Sequence, residues 1–355
     1  MNKDVKTILK ELVNIKSNPA ITNKEIVNYI QQCFEGYEQE IIKQQKGELE
    51  LYNFIINIPS KNPKRKPILV LMHTDTVKGD WFSKAEIYED KLVGLGSCDM
   101  KAGISAIISA VLDKDYDKDI ILAFSSDEET SGKGAILIKE KLKNKQFGLI
   151  ILPEPTTNIC YTSQNSCIGY RVKTKGISMH GSLNDIANNN NNNALTKMNQ
   201  IINYLNQVHE KDKDLASQNI GYINSNGSGN IVPSECVLKF EQRFKPGINI
   251  KEKFDYYKTK IEEHKGDVEL TFFGDYFNMK DKEVEKNLKN ILKKFNINRF
   301  ERFLAWSEGG IIKELGPCIV LGPGRLDVAH TKKEYVNLNE VEKYKDIYKE
   351  VFELL

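Results

Sequence analysis

The residues best suited to chemistry in this chain are histidines and carboxylates that follow short apolar runs. Residues 119–126 (Asp-Ile-Ile-Leu-Ala-Phe-Ser-Ser) lead into Asp127, Glu128 and Glu129, and residues 67–72 (Pro-Ile-Leu-Val-Leu-Met) lead into His73 and Asp75. The run Leu149-Ile-Ile-Leu152 precedes Glu154, and Cys318-Ile-Val-Leu321 leads through Gly322 and Gly324 toward His330. Adjacent carboxylates repel one another and must be compensated, by water on an exposed turn or by cations in a cleft. A solvated turn is the commoner fate of one acidic triplet, but the recurrence at four strand ends favours a site. With Asp99 included, two histidines and at least three carboxylates can hold two divalent ions if one carboxylate bridges them. Mixed nitrogen and oxygen donors suit zinc, with cobalt or manganese as substitutes. Such a pair acidifies a water and polarises a carbonyl, and a carboxylate left free must then take the proton. Glu128, beside the candidate ligand Glu129, is that base. Asp75 is placed to accept the second ring N–H of His73, as an outer support. The chemistry is hydrolysis of an amide or a similar bond.

The elements that must carry these groups follow from periodicity. Continuous apolar runs read as strands covered on both faces, and open α/β sheets bind ligands at the carboxyl ends of their strands. Apolar spacing of three and four predicts helices over 4–16 and 23–36, with Asn23 a candidate cap. Residues 37–58 alternate as strand material, and Asn62 to Lys66 form a turn. Helices are predicted over 100–112, opening at Asp99, and over 131–145. From about residue 163 the texture changes. Strictly alternating Arg171 to Lys175 is followed by a helix at 194–209, strands at 219–224 and 231–243, a helix at 249–264 and a strand at 267–273. That order is ferredoxin-like. Helix, strand, helix, strand and a closing helix then return over 281–295, 299–304, 308–314, 318–321 and 339–354. The predicted fold is α/β: a catalytic domain of residues 1–162 and 274–355, with a mixed, largely parallel sheet flanked by helices. An inserted ferredoxin-like α+β lid spans 163–273. Asn188 to Asn193 form a low-complexity loop with no chemistry to assign.

Composition narrows the partners. The 355 residues carry 51 basic and 49 acidic side chains, a net charge of +2, which leaves no electrostatic footprint for nucleic acid. No apolar run approaches the roughly 20 residues a membrane span needs, and the amino terminus lacks the pattern of a secretory signal. The six cysteines are scattered without a Cys-x-x-Cys pair, as expected of reduced core thiols in a cytoplasmic protein. His209 and His264 lie among charged residues at predicted helix ends and receive no role.

Six stretches together resemble a known family. They are residues 73–77 (His-Thr-Asp-Thr-Val), 94–103 (Gly-Leu-Gly-Ser-Cys-Asp-Met-Lys-Ala-Gly), Asp127 to Glu129, Glu154 to Thr156, 176–180 (Gly-Ile-Ser-Met-His) and Ala329-His330. Their order over the whole chain is similar to that in the dizinc enzymes comprising acetylornithine deacetylase, succinyl-diaminopimelate desuccinylase, aminoacylase and carboxypeptidases. The resemblance implies a zinc-peptidase-like fold, with His73 and Glu154 on one ion, Glu129 and His330 on the other, and Asp99 between them. It also implies Glu128 as general base and acid, and a cis peptide after Asp99. The inserted segment resembles the family's lid, which implies a homodimer formed through it and His180 helping to stabilise an oxyanion across that dimer. Asn230 and Arg243 resemble positions that grip a substrate carboxylate, and Glu308 is a candidate partner for a side-chain ammonium. Within the family, residues 321–324 (Leu-Gly-Pro-Gly), His330 and Glu334-Tyr335 look most like acetylornithine deacetylase, implying an N-acylated amino acid as substrate. A desuccinylase and a dipeptidase or carboxypeptidase are the rivals, and a metal-poor binding protein on the same scaffold is the rival from another class. Departures from the family pattern fall at Leu95, at Cys167-Ile168-Gly169 and in the asparagine tract, which bear on the substrate rather than on the chemistry.

Overall fold

A computed structural model describes residues 4–60, 65–183 and 192–354. The predicted turn residues Asn62 to Lys64 and most of the asparagine tract, residues 188–191, lie outside them. The chain divides into two compact units, residues 1–163, 277–303 and 307–355 in the first and 164–276 with 304–306 in the second.

The first unit begins with helices α1 (Val5–Asn14) and α2 (Lys24–Cys33) and the hairpin of β1 (Glu38–Lys46) and β2 (Leu49–Ile58). The Asp4 side chain caps α1 by accepting the Thr7 amide at 2.9 Å, meeting a donor the helix cannot satisfy itself. Asn23, in contrast, makes no capping bond. Its side-chain amide pairs with both main-chain groups of Tyr52, at 2.8 and 2.9 Å, so it ties α2 to β2 rather than closing a helix end. There follow β3 (Ile68–His73), the short β4 (Glu86–Tyr88) and β5 (Lys91–Val93), α3 (Lys101–Asp113), β6 (Ile120–Ser125), α4 (Lys133–Leu142), β7 (Leu149–Leu152) and β8 (Cys160–Gln164).

The second unit holds β9 (Ser166–Lys175), α5 (Ala194–Lys211), β10 (Leu215–Ser225), β11 (Glu235–Phe244), α6 (Ile250–Glu263) and β12 (Gly266–Gly274). Their sheet order is β10-β11-β9-β12 and the paired strands are antiparallel, the ferredoxin-like arrangement the element order predicts. The helices bury Met198, Ile201, Tyr257 and Ile261 with Val172 and Leu238 in a core of their own. Strand β11 starts later than its alternation suggests. Residues before Pro233 instead pair with the stretch leading to His180, where the Val232 amide donates to the Met179 carbonyl at 2.9 Å. Asn193, the end of the asparagine tract, caps α5 through the amides of Leu195 and Thr196.

The chain closes with α7 (Lys282–Lys294), β13 (Phe300–Phe303), a single turn α8 (Gly309–Ile312), β14 (Cys318–Val320), β15 (Tyr335–Asn337) and α9 (Leu338–Leu354). An eight-stranded mixed sheet runs β1-β2-β6-β3-β7-β14-β8-β13. Its middle is the parallel set β6-β3-β7-β14, and every residue of those four strands is buried. Strands covered on both faces have no polar side to show, so the four apolar runs of the sequence become neighbours with their carboxyl ends together. Among the described residues no helix is long and apolar enough to cross a membrane.

Candidate metal centre

His73 ends β3, and Asp75 follows in the loop. The ring nitrogen Nδ1 of His73 lies 3.0 Å from the Asp75 carbonyl oxygen and 3.8 Å from its carboxylate. The expected outer support therefore comes from the main chain. The Asp75 carboxylate does something else: its two oxygens accept the amides of Glu128 and Glu129, each at 3.1 Å. It thereby joins the end of β3 to the acidic turn after β6.

That turn is held from behind. Asp127 adopts a left-handed backbone, φ 71°, which aspartate tolerates better than most side chains. Its carboxylate faces away from its two neighbours, bound to Lys46, Thr130 and Ser131 and accepting from Gln44 at 3.2 Å. Asn53 of β2 accepts the Ser126 amide at 2.7 Å. Asp127 is thus neutralised by Lys46, while Asp75 holds the main-chain amides of Glu128 and Glu129.

Asp99 precedes α3, and the peptide after it is cis. It does not cap the helix. Its oxygen Oδ1 lies 3.0 Å from His73 Nε2, and Oδ2 lies 3.3 Å from His330 Nε2. Glu154 stands on the first side, 3.7 Å from His73 Nε2, and Glu129 on the second, 3.0 Å from His330 Nε2. Glu154 is fixed by a close approach of the ends of β7 and β14: a Cβ on Gly322 would meet the Pro153 carbonyl oxygen at 2.3 Å. The Thr156 hydroxyl also donates to the Gly322 carbonyl at 2.7 Å. His330 is half-exposed and in the left-handed region, φ 60°, a conformation costing on the order of 1 kcal/mol that its surroundings must impose.

This donor set fits divalent metal binding. Potential ligand atoms of His73, Asp99 and Glu129 all lie within 4.8 Å of one another, and Asp99 offers one oxygen to each histidine side. The charges show the same demand. Burial pushes the Glu154 carboxyl up to about 7, with Asp99 adding to it and His73 opposing. Burial also raises Glu128 well above the carboxylate range, reinforced by Glu129, Glu154 and Glu308 against the pull of His73. Burial works against a charged His73, yet Glu154, Asp99 and Glu128 raise it. Hydrogen bonds to Asp99 and Glu129 push His330 up to about 11. Carboxylates held this close are short of positive charge, which bound cations would supply.

Glu308, after β13, is also brought to this centre. It is buried, with Oε2 accepting the Ser125 hydroxyl at 2.6 Å and Oε1 without a hydrogen-bond partner. Burial, with Asp75 and Glu154 nearby, pushes it up to about 8. The other expected residues belong to the second unit. His180 is exposed, and its Nδ1 lies 2.8 Å from the Ser182 hydroxyl oxygen and 3.3 Å from the Ser182 amide nitrogen. Asn230 lies in the adjoining segment, its carbonyl accepting the Gly181 amide at 2.8 Å. Arg243 is half-buried on β11, with Nε and Nη2 both on Glu241 Oε1, at 3.2 and 3.1 Å. Sequence reasoning missed Gln44, Lys46, Asn53 and Glu334, whose partners at the centre are far away along the chain. The one signal for Glu334 was its place after His330 in a family-like stretch.

Parallel strands that end in a mixed histidine and carboxylate set are a setting suited to metal-assisted hydrolysis. The chain belongs to peptidase family M20/M25/M40, which matches residues 69–354. Among its relatives, the acetylornithine deacetylase of Proteus mirabilis is 23% identical over 362 residues, covering 95% of this chain and 90% of that protein. The acetylornithine deacetylase of Aliivibrio fischeri (strain MJ11) is 26% identical over 339 residues, covering 88% and 87%. Among solved structures, a tripeptidase from Staphylococcus aureus superposes with a TM-score of 0.81 at 18% identity, covering 99% of this chain and 98% of that one. An M20 family metallo-carboxypeptidase from Sulfolobus solfataricus gives 0.79 at 15% identity, covering 99% of each.

Proposed function

We propose that this hydrolase is a dizinc amidohydrolase that removes the acyl group from an N-acylated amino acid, with N-acetylornithine the first substrate to test. The observation that carries the reading is Asp99, which presents one carboxylate oxygen to each of two histidines while Glu154 and Glu129 flank them. His73 and Glu154 would hold one ion, His330 and Glu129 the other, with Asp99 shared. When bound, the ions acidify a water and polarise the acyl carbonyl. Glu128, as a carboxylate left free of metal, takes the proton of the attacking water and returns it to the leaving amine. Asp75 holds the base through its amide. Asp99, Glu129 and Glu154 would bind the ions, and the proton transfer is left to Glu128.

The resemblance assigns the second unit the part of a lid and dimer contact. His180 would donate to the developing oxyanion, and Asn230 and Arg243 would meet the substrate carboxylate. Glu308, with one oxygen unpartnered, would attract a cationic side chain. The deacetylase reading draws on the names of the relatives cited above; a desuccinylase or dipeptidase would use the same chemistry. The experiment is amine release by zinc-loaded protein from N-acetyl-L-ornithine, N-succinyl-diaminopimelate and a dipeptide, each with a chelator control. Chelator-sensitive turnover fastest on the first, with KM for it raised by Glu308→Gln, supports the reading. Preference for either of the others reassigns the substrate, and an unchanged KM removes Glu308 from recognition.

A further inference from the structure

We infer that Glu334 is the positioning residue that holds Asp99 between the two halves of the metal centre. The inference rests on the reading of Asp99 as the shared ligand. Glu334 Oε1 accepts the main-chain amides of Cys98 at 3.0 Å and Asp99 at 3.2 Å. Both residues are buried, where an amide left without an acceptor is strongly disfavoured. The main-chain carbonyl of Glu334 accepts the Gly94 amide at 3.2 Å. One residue therefore grips the Asp99 loop on both sides of its turn, which is closed by the Ser97 amide on the Gly94 carbonyl at 3.0 Å.

The anchor is itself fixed. Strand β15 begins at the next residue and pairs with β5, which leads directly into the loop. A second tie joins Cys98 and Arg325, whose amide donates to the thiol sulfur at 3.1 Å. The stretch that delivers His330 is thus the stretch that fixes the carboxylate opposite it, and their contact of 3.3 Å follows from this coupling. Nothing in this arrangement brings Glu334 to the reacting atoms. Its part is to place Asp99.

Two features of the side chain can be separated. Glu334→Gln keeps an oxygen able to accept both amides and loses the charge. Glu334→Asp keeps the charge and withdraws the acceptor by one methylene. The test is zinc affinity, measured on each full-length variant by competition with a chromophoric chelator, alongside thermal unfolding, kcat and KM, with Asp99→Asn for reference. Outer residues that orient metal ligands typically change affinity by about 10- to 100-fold. Glu334→Asp is expected to weaken zinc binding by at least roughly tenfold and to lower kcat with little change in KM, while Glu334→Gln stays within about threefold of the parent. A residue serving stability alone would lower the unfolding temperature and leave the affinity of the folded protein unchanged. Unchanged affinity in Glu334→Asp, or equal losses in both variants, would overturn the inference while Asp99→Asn still loses zinc. Unchanged affinity in Asp99→Asn would overturn the ligand reading beneath it as well.

Discussion

Replacing Asp75 by asparagine tests how the acidic turn is held. In the folded protein the two carboxylate oxygens of Asp75 each accept one amide, from Glu128 and from Glu129, both at 3.1 Å, at a site only 3% exposed. Asparagine keeps one acceptor oxygen and puts an NH2 group where the second stood, so one amide loses its partner and faces a donor. A hydrogen bond to a charged group is worth about 1.5–3 kcal/mol, and a buried donor left unsatisfied costs about 1–3 kcal/mol. Taking about 3 kcal/mol as the weakening of the turn's hold, and about 1.36 kcal/mol per tenfold in rate, kcat/KM should fall about 100-fold. The loss should land on the chemistry, because the turn carries the proposed base and a proposed ligand. The assay is steady-state amide hydrolysis in excess zinc, with metal content measured on the same samples. Asp75→Asn working within threefold of the parent would refute the claim that these bonds position the turn, and loss of catalysis only in step with global unfolding would do so too.

Three further outcomes follow from the same geometry. Glu128→Gln should lose about 10²- to 10⁴-fold in kcat with metal content unchanged; retained turnover would remove Glu128 as the base. A Cβ at Gly103 of α3 would meet the Pro153 carbonyl oxygen at 2.2 Å, so Gly103→Ala should cost about 1–3 kcal/mol of stability by overpacking. It should also weaken zinc binding by displacing Glu154, and a denaturant titration together with chelator competition would read both effects. In the second unit, burial alone would raise the Asp212 carboxyl, but Lys253, Tyr257 and the Asp214 amide hold it below its usual value. A depressed folded-state value means stability that is present above about pH 4 and lost as pH falls through the folded-state value. The thermal gap between the parent and Asp212→Asn should therefore be open at neutral pH and close in acid. A gap that widens in acid contradicts the sign.

What could be read from the sequence was what is local. The four central strands are legible because a strand buried on both faces must be a continuous apolar run, and their chemistry-bearing ends come along with them. The ferredoxin-like order was legible from switches between periods of two and of three to four residues. Asn23 misled as a helix cap because a cap and a long-range tie use the same residue types, and only the fold decides between them. Asn23 answers to Tyr52, 29 residues on, and Asp99 to histidines 26 and 231 residues away along the chain. The supports were less legible still. Lys46 meets Asp127 across 81 residues and Glu334 meets Cys98 across 236, and a single sequence carries no local mark of such pairings. Asp75 stands beside His73 as expected, with its carbonyl oxygen 3.0 Å from Nδ1 and its carboxylate on the acidic turn, and nothing in residue spacing says which of its oxygens faces His73.

The proposed function requires that five residues from four strand ends and the Asp99 loop hold two ions with Asp99 between them. Anomalous diffraction at the zinc edge from crystals of the zinc-loaded protein tests it most directly. Two peaks are expected, one bounded by His73 and Glu154, the other by His330 and Glu129, with one oxygen of Asp99 toward each. A single peak, or peaks that these residues do not contact, would contradict it.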